Sequence, residues 1–372
     1  MKIVVLGGGY AGLSCLLTLR RRCPEAKLSL VDARTSHVKL TRLHQTLRRP
    51  FAEITCSFEA LAEKFGFAFH QAQISWSDQG LTGWQSSKVL ALPQGELPFD
   101  YLVIATGTRT PPLPRGESSL SREDLLAGEG REKILDMRRR MSGRVPEITV
   151  VGAGATGLQF LFELHATAVA EGWPVNLHLV DLSPRLLSGH PAAFDRYTRK
   201  RLRELGIRHH PAVRYLGQEG GAIRLQGAEE TEPLVLPCDL VLLFPGVQAV
   251  PRLLETNRYG QVLEDGLPLN NIYAAGDCSR YLGSGLNAQT AQAALRKGAL
   301  VAENIAQSAA GRRQKTYLYR EIGYFVSLGA ADGVGWLGWR GNVLTGTPAF
   351  AVKEVLEAQY DLFLRGIDSY LK

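Results

Sequence analysis

Asp32 and Asp181 each end a short apolar run, and each follows a glycine-rich turn of the form G-x-G-x-x-G. The first turn is Gly7-Gly8-Gly9-Tyr10-Ala11-Gly12 and the second is Gly152-Ala153-Gly154-Ala155-Thr156-Gly157. The chemistry this spacing serves is nucleotide binding. The first glycine of each triplet allows a tight turn, the second lets the backbone approach a pyrophosphate, and the third lets a helix pack close to a strand. The helix N-terminus adds free N–H groups and the positive end of its dipole. The acid then accepts from a ribose hydroxyl. Asp181 suits a free 2′-hydroxyl and would repel a 2′-phosphate. Arg185, four residues on, would partly offset that repulsion.

Strand, turn, helix and strand must hold these residues in place. Lys2–Leu6 reads as a strand, Leu13–Leu19 as an apolar helix and Leu28–Val31 as the next strand. Glu147–Val151, the helix to about Ala170 and Val175–Val180 repeat the unit, displaced by 145 positions between Gly7 and Gly152. Such a repeat is the most informative feature of the chain. A third block, Asn270–Cys278, ends a strand at Gly276-Asp277, shortly before a long apolar helix, Thr290–Ala306. A carboxylate placed there can hold a ribityl or ribose hydroxyl. Between the copies, residues 67–92 read as short antiparallel strands (including LTGW, 81–84), and after the second copy 234–244 reads as one strand. Residues 33–50 read as a loop carrying His37, Lys39, Arg42 and His44. Residues 349–364 read as an amphipathic helix whose apolar positions include Phe350, Val352, Val355, Leu356 and Phe363. A dimer interface, a membrane-surface element and packing on the core stand open as readings of that helix.

Composition narrows the class. With 372 residues, 45% hydrophobic and 21% charged, the chain is a globular α/β protein of two or three domains. It has no run of 18 apolar residues and no signal-peptide pattern at its start, so the expected location is cytoplasmic, including peripheral attachment to the cytoplasmic face of a membrane. The net charge of +7 comes without basic clusters interleaved with aromatics, which argues against nucleic acid. Cys15, Cys23, Cys56, Cys238 and Cys278 include no C-x-x-C pair, which argues against a redox dithiol and against a metal site.

Together, GGGYAG with Asp32, Ala105-Thr106-Gly107, GAGATG with Asp181, and NNIYAAGDC resemble the flavoproteins that carry two dinucleotide-binding domains. Within them the chain is most similar to type II NADH:quinone oxidoreductases and the apoptosis-inducing-factor-like quinone reductases. The stretches Thr290–Gly298 and Ser327-Leu328-Gly329 with Asp332–Gly335 carry that narrower likeness. The resemblance implies two Rossmann-like domains of the glutathione-reductase type, with antiparallel β insertions and a small C-terminal segment. An FAD domain would span 1–112 and 248–310, an NAD(P)H domain 113–247, and a dimerisation or membrane-surface segment 311–372. FAD would lie on Gly7, Gly9, Gly12 and Asp32, with the Ile74 backbone at the adenine, Thr106 and Gly107 alongside, and Gly276 and Asp277 at the ribityl–phosphate part. NADH would lie on Gly152, Gly154, Gly157 and Asp181, with Gly246 towards the nicotinamide. Gln292 and Arg296 would meet the quinone. The type II pattern has a second Gln where Arg296 stands and often a Glu where Gln159 stands. The competing readings are a soluble reductase of a small redox protein and a flavoprotein with a mainly binding role.

Overall fold

The computed structural model describes residues 1–74, 78–141, 143–227, 232–249 and 251–370. One compact unit comprises Met1–Lys39, Thr55–Arg109 and Val247–Glu321; a second comprises Leu40–Ile54, Thr110–Gly246 and Ile322–Lys372.

The first unit is built on an eight-stranded sheet. Its central strands, Leu267–Ala274, Tyr101–Ile104, Lys2–Leu6, Lys27–Asp32 and Ala68–Gln71, run parallel in that order. Lys2–Leu6 and Tyr101–Ile104, at the centre of the sheet, are continuous buried runs rich in Val, Ile and Leu, as expected of strands covered on both faces. Helices Tyr10–Arg22 and Ala291–Ala309 lie together, with the Ser14 hydroxyl donating to Leu295 O at 2.7 Å. A methyl on Gly298 would come within 2.1 Å of Ala11 O, so only glycine admits this approach. Two short strands, Thr108–Arg109 and Gln248–Ala249, pair antiparallel where the chain leaves this unit and returns to it.

The second unit holds a five-stranded parallel sheet in the order Ser119–Ser121, Leu240–Leu243, Glu147–Val151, Asn176–Val180, Arg208–His210. Helix Ala155–Ala170 follows its glycine turn. Strands Val213–Glu219, Ala222–Gly227 and Leu234–Pro237 form a separate antiparallel sheet.

Several expectations change. LTGW lies in a helix, Asp78–Ser87, because Leu81 and Trp84, three apart, both reach the core of the first unit. Ala68–Gln71 joins the main sheet in parallel, and only Val89–Leu92 with Gly95–Pro98 forms an antiparallel hairpin. Ser75 and Trp76, part of the expected strand there, lie outside the described residues. The run 234–244 is two strands in different sheets. It breaks at Asp239, whose carboxylate accepts from Glu147 N at 2.9 Å and pairs with Arg144. Residues 33–50 contain strand Ser36–Val38 and the 3-10 helix Leu40–Leu47.

The expected third segment, 311–372, is divided. It joins the second unit from Ile322, where Ser327 meets Gln159 and the helix Thr347–Leu364 meets Thr41 and Arg42. That helix does not bury the stripe its apolar residues suggest. It buries Lys353 and Glu357, paired at 3.3 Å, together with Ala349, Tyr360 and Phe363, while Val355 is 67% and Leu356 41% exposed. Glu357 also accepts from Thr41 Oγ1 at 2.8 Å and from Arg42 at 3.3 Å, so partners that come from residues 40–47 decide which face turns inward.

Candidate functional site

In both glycine turns the backbone leaves one conformation available. Gly7 has φ +99° and a methyl there would sit 2.4 Å from Ala105 O; Gly152 has φ +105° and its methyl would sit 2.1 Å from Phe244 O. A methyl on Gly12 or Gly157 would lie 1.9 Å from the carbonyl oxygen of Gly7 or Gly152. Gly9 and Gly154 differ from these: a methyl on either meets nothing within 4 Å. Both begin helices without a side-chain cap. Open space therefore faces two uncapped helix N-termini, and that arrangement fits the phosphates of a dinucleotide.

The acids are engaged alike. Asp32 Oδ2 accepts from Gly8 N at 2.7 Å and Oδ1 from Arg34 N at 2.8 Å. Asp181 accepts from Ala153 N, and from Ser183 N at 2.6 Å. Each carboxylate thus ties its own glycine turn to the strand end. The Arg34 guanidinium lies 3.3 Å from Asp32, and that of Arg185 donates to His190 O at 3.3 Å.

In the first unit the fold gathers residues from across the sequence. Ala105-Thr106 abuts Gly7, and a methyl on Gly276 (φ +82°) would reach the Ala11 side chain at 2.9 Å. Thr106 is exposed, Gly107 half-buried at φ +69°, and Asp277 half-buried beside Gly276. Ile74 sits in the coil after Ala68–Gln71, its side chain against the apolar core. Two further residues enclose the turn. The Phe58 ring would be 2.2 Å from a methyl on Gly8, and His37 Nδ1 donates to Gly8 O at 2.9 Å. Burial pushes the His37 imidazole down to about 4, so it is neutral at pH 7.

Gln292 and Arg296 are half-buried, four residues apart on one helix face, after the N-cap Thr290 whose hydroxyl accepts from Ala293 N at 3.2 Å. Tyr319 OH donates to Gln292 Oε1 at 3.4 Å.

In the second unit Gly246 (φ +93°) is exposed beyond the strand Leu240–Leu243, the counterpart of Gly107. Buried Gln159 donates to Ser327 Oγ at 3.0 Å, and Ser327 Oγ lies 3.2 Å from His44 Nε2. Burial drives the His44 imidazole well below its usual range, which keeps the ring uncharged beside Ser327. Phe58 and Tyr319 escape sequence reasoning because no local pattern marks them, and His37 is marked there only as one of four residues of the loop 33–50. Ser327 stands in a stretch noted only for its likeness to relatives.

Among the described residues the cysteines form no disulfide. Cys15, Cys238 and Cys278 are buried, and burial pushes each thiol up, away from thiolate chemistry.

The sequence pattern of the family described as pyridine nucleotide-disulphide oxidoreductase matches residues 1–298. A type II NADH:quinone oxidoreductase of Staphylococcus aureus (strain NCTC 8325) is 25% identical over 408 residues, covering 98% of this chain and 96% of the relative. Among solved structures, a sulfide:quinone oxidoreductase from Aquifex aeolicus superposes with a TM-score of 0.81 at 18% identity, over 99% of this chain and 92% of that one. NDH2 of Plasmodium falciparum, in complex with NADH, gives 0.78 at 16% identity, over 96% and 94%. These structural likenesses concern the fold, two dinucleotide-binding domains.

Proposed function

This chain belongs to the pyridine nucleotide-disulphide oxidoreductase family, and from that premise we propose that it is an enzyme passing electrons from NADH through FAD to a quinone. The duplicated glycine turn, each copy with open space before an uncapped helix and an acid bonded to it, carries the reading. The full-length match to type II NADH:quinone oxidoreductases supports NADH and quinone as the substrates.

The first turn holds FAD: Gly7, Gly9 and Gly12 at the pyrophosphate, Asp32 at the adenosine ribose, Thr106, Gly107, Gly276 and Asp277 along the rest, and the Ile74 backbone at the adenine. When bound, FAD supplies the hydride acceptor and the two-electron donor. Gly152, Gly154 and Gly157 bind the NADH pyrophosphate through the dipole of their helix, Asp181 reads its ribose, and Gly246 lies towards the nicotinamide. Gln292 hydrogen-bonds a quinone oxygen, oriented by Tyr319, and Arg296 favours negative charge there. Thiol chemistry is disfavoured, since the three buried cysteines are held as thiols. No helix among the described residues is long and apolar enough to cross a membrane.

Stopped-flow absorbance tests this. NADH bleaches the bound flavin and a soluble ubiquinone or menaquinone analogue restores it. Gln292→Leu slows reoxidation by about tenfold, the scale of one hydrogen bond, without changing reduction. Reduction by NADH with no response to any quinone defeats the acceptor assignment and points to a small redox protein.

A further inference from the structure

Lys297 is 2% exposed, within the helix Ala291–Ala309. Burying an ammonium is costly unless its hydrogens are satisfied. Here all three are spent on one turn: Ser279 O at 2.6 Å, Gly276 O at 3.3 Å and Ser279 Oγ at 3.4 Å. The Tyr281 and Tyr317 rings lie at 5.0 and 5.8 Å. Gly276 O also accepts from Ser279 N at 3.1 Å and from Ser279 Oγ at 2.7 Å, so its direction is fixed from three sides.

Across a trans peptide the carbonyl and the following N–H point in opposite directions. A Gly276 carbonyl held towards Lys297 therefore turns the Asp277 N–H to the other side of the turn, away from the ammonium. A positive charge behind that carbonyl also polarises the peptide and strengthens the N–H as a donor. We propose that Lys297 is a positioning residue for the flavin site, presenting the Asp277 amide to the phosphate–ribityl part of FAD and keeping one positive charge behind it. This rests on the FAD assignment above.

The groups facing the ammonium are Asp277, Cys278, Tyr281 and Tyr317. Burial pushes the Lys297 ammonium down to about 8, with Cys278 and Asp277 pulling the other way. Burial raises Cys278, Tyr281 and Tyr317 above their usual values, so between pH 7 and 9 Lys297 is the member of this group that changes charge.

The test uses the purified holoprotein and its Lys297→Met and Lys297→Arg variants. FAD release is followed by fluorescence, the flavin midpoint potential by redox titration, and apoprotein melting by calorimetry. Lys297→Met releases FAD at least about tenfold faster, the scale of a lost charge-assisted contact. It also lowers the midpoint potential, while Lys297→Arg restores both. Wild-type FAD release accelerates from pH 7 to 9. A Lys297→Met protein that melts lower as apoprotein but keeps its FAD affinity and potential overturns the proposal and leaves a structural lysine. If Lys297→Met does not fold, a flat pH profile of wild-type release overturns it. A wild-type protein that binds no FAD defeats the underlying assignment instead.

Discussion

Gly9 is half-buried and followed by buried Tyr10 and Ala11, whereas Gly154 is exposed and followed by half-buried Ala155 and exposed Thr156. The two turns are otherwise near copies in backbone and in the bonds made by Asp32 and Asp181. What differs is their surroundings. The first turn is walled by Phe58, His37, Gly276 and the helix from Ala291, whereas the second is met by Phe244 at Gly152 and by Leu187 N, which donates to Ala153 O at 3.2 Å. On the proposed assignment, the covered turn takes the resident cofactor and the open turn the substrate that exchanges with each cycle.

The comparison breaks most severely at the third glycine. Gly12→Ala and Gly157→Ala each force a methyl to 1.9 Å from a backbone oxygen, at a cost of about 3 kcal/mol or more. Gly12→Ala loses bound flavin from the absorbance spectrum and melts lower. Gly157→Ala keeps its flavin but is reduced by NADH at least about tenfold more slowly, for the same energetic reason. A Gly157→Ala protein that purifies without flavin means the two sites do not divide the work.

Smaller effects sharpen it. Asp32→Ala strands the buried Gly8 N–H and costs about 1–3 kcal/mol in thermal unfolding. Asp181→Ala strands the buried Ala153 N–H in the same way, lowers the melting temperature by a comparable amount, and also raises the KM for NADH by about tenfold, the loss of one well-placed acceptor. Unchanged NADH affinity removes Asp181 from the ribose.

Acid separates the sites by a third route. The folded-state value of His37 lies below its unfolded value, so its stabilisation is present above about pH 6.5 and fades as pH falls towards 4. FAD release monitored over that window accelerates in wild type and less so in His37→Gln. The smallest change is Arg34→Ala. Its pair with Asp32 is 42% exposed on the arginine side, so FAD affinity moves by less than about fivefold.

The turns, strands and acids were legible because the backbone itself demands their residue types: no side chain fits where Gly12 or Gly157 sits. The cover was not legible. Phe58 and His37 reach Gly8 from 50 and 29 positions away, and Lys297 reaches Gly276 across 21, with no local periodicity to announce them. The final helix misled for a related reason. Lys353 and Glu357 are buried because they pair with each other and Arg42 adds a second cation to Glu357, and a hydropathy stripe cannot register such a partnership. Leu81 and Trp84 show the converse limit. Four residues fit either a strand or a helical turn, and the core they reach decides between them.

The antiparallel pair of Thr108–Arg109 with Gln248–Ala249 has a consequence for ancestry. Paired residues on neighbouring strands lie about 5 Å apart. A duplicated nucleotide-binding stretch pasted into a gene at this seam starts and finishes at one spot on its host, and the host's own strands need not part to receive it. The stretches before and after the seam, which supply Lys2–Leu6 and Leu267–Ala274 on either side of Tyr101–Ile104, keep their places in one sheet whatever length is carried between.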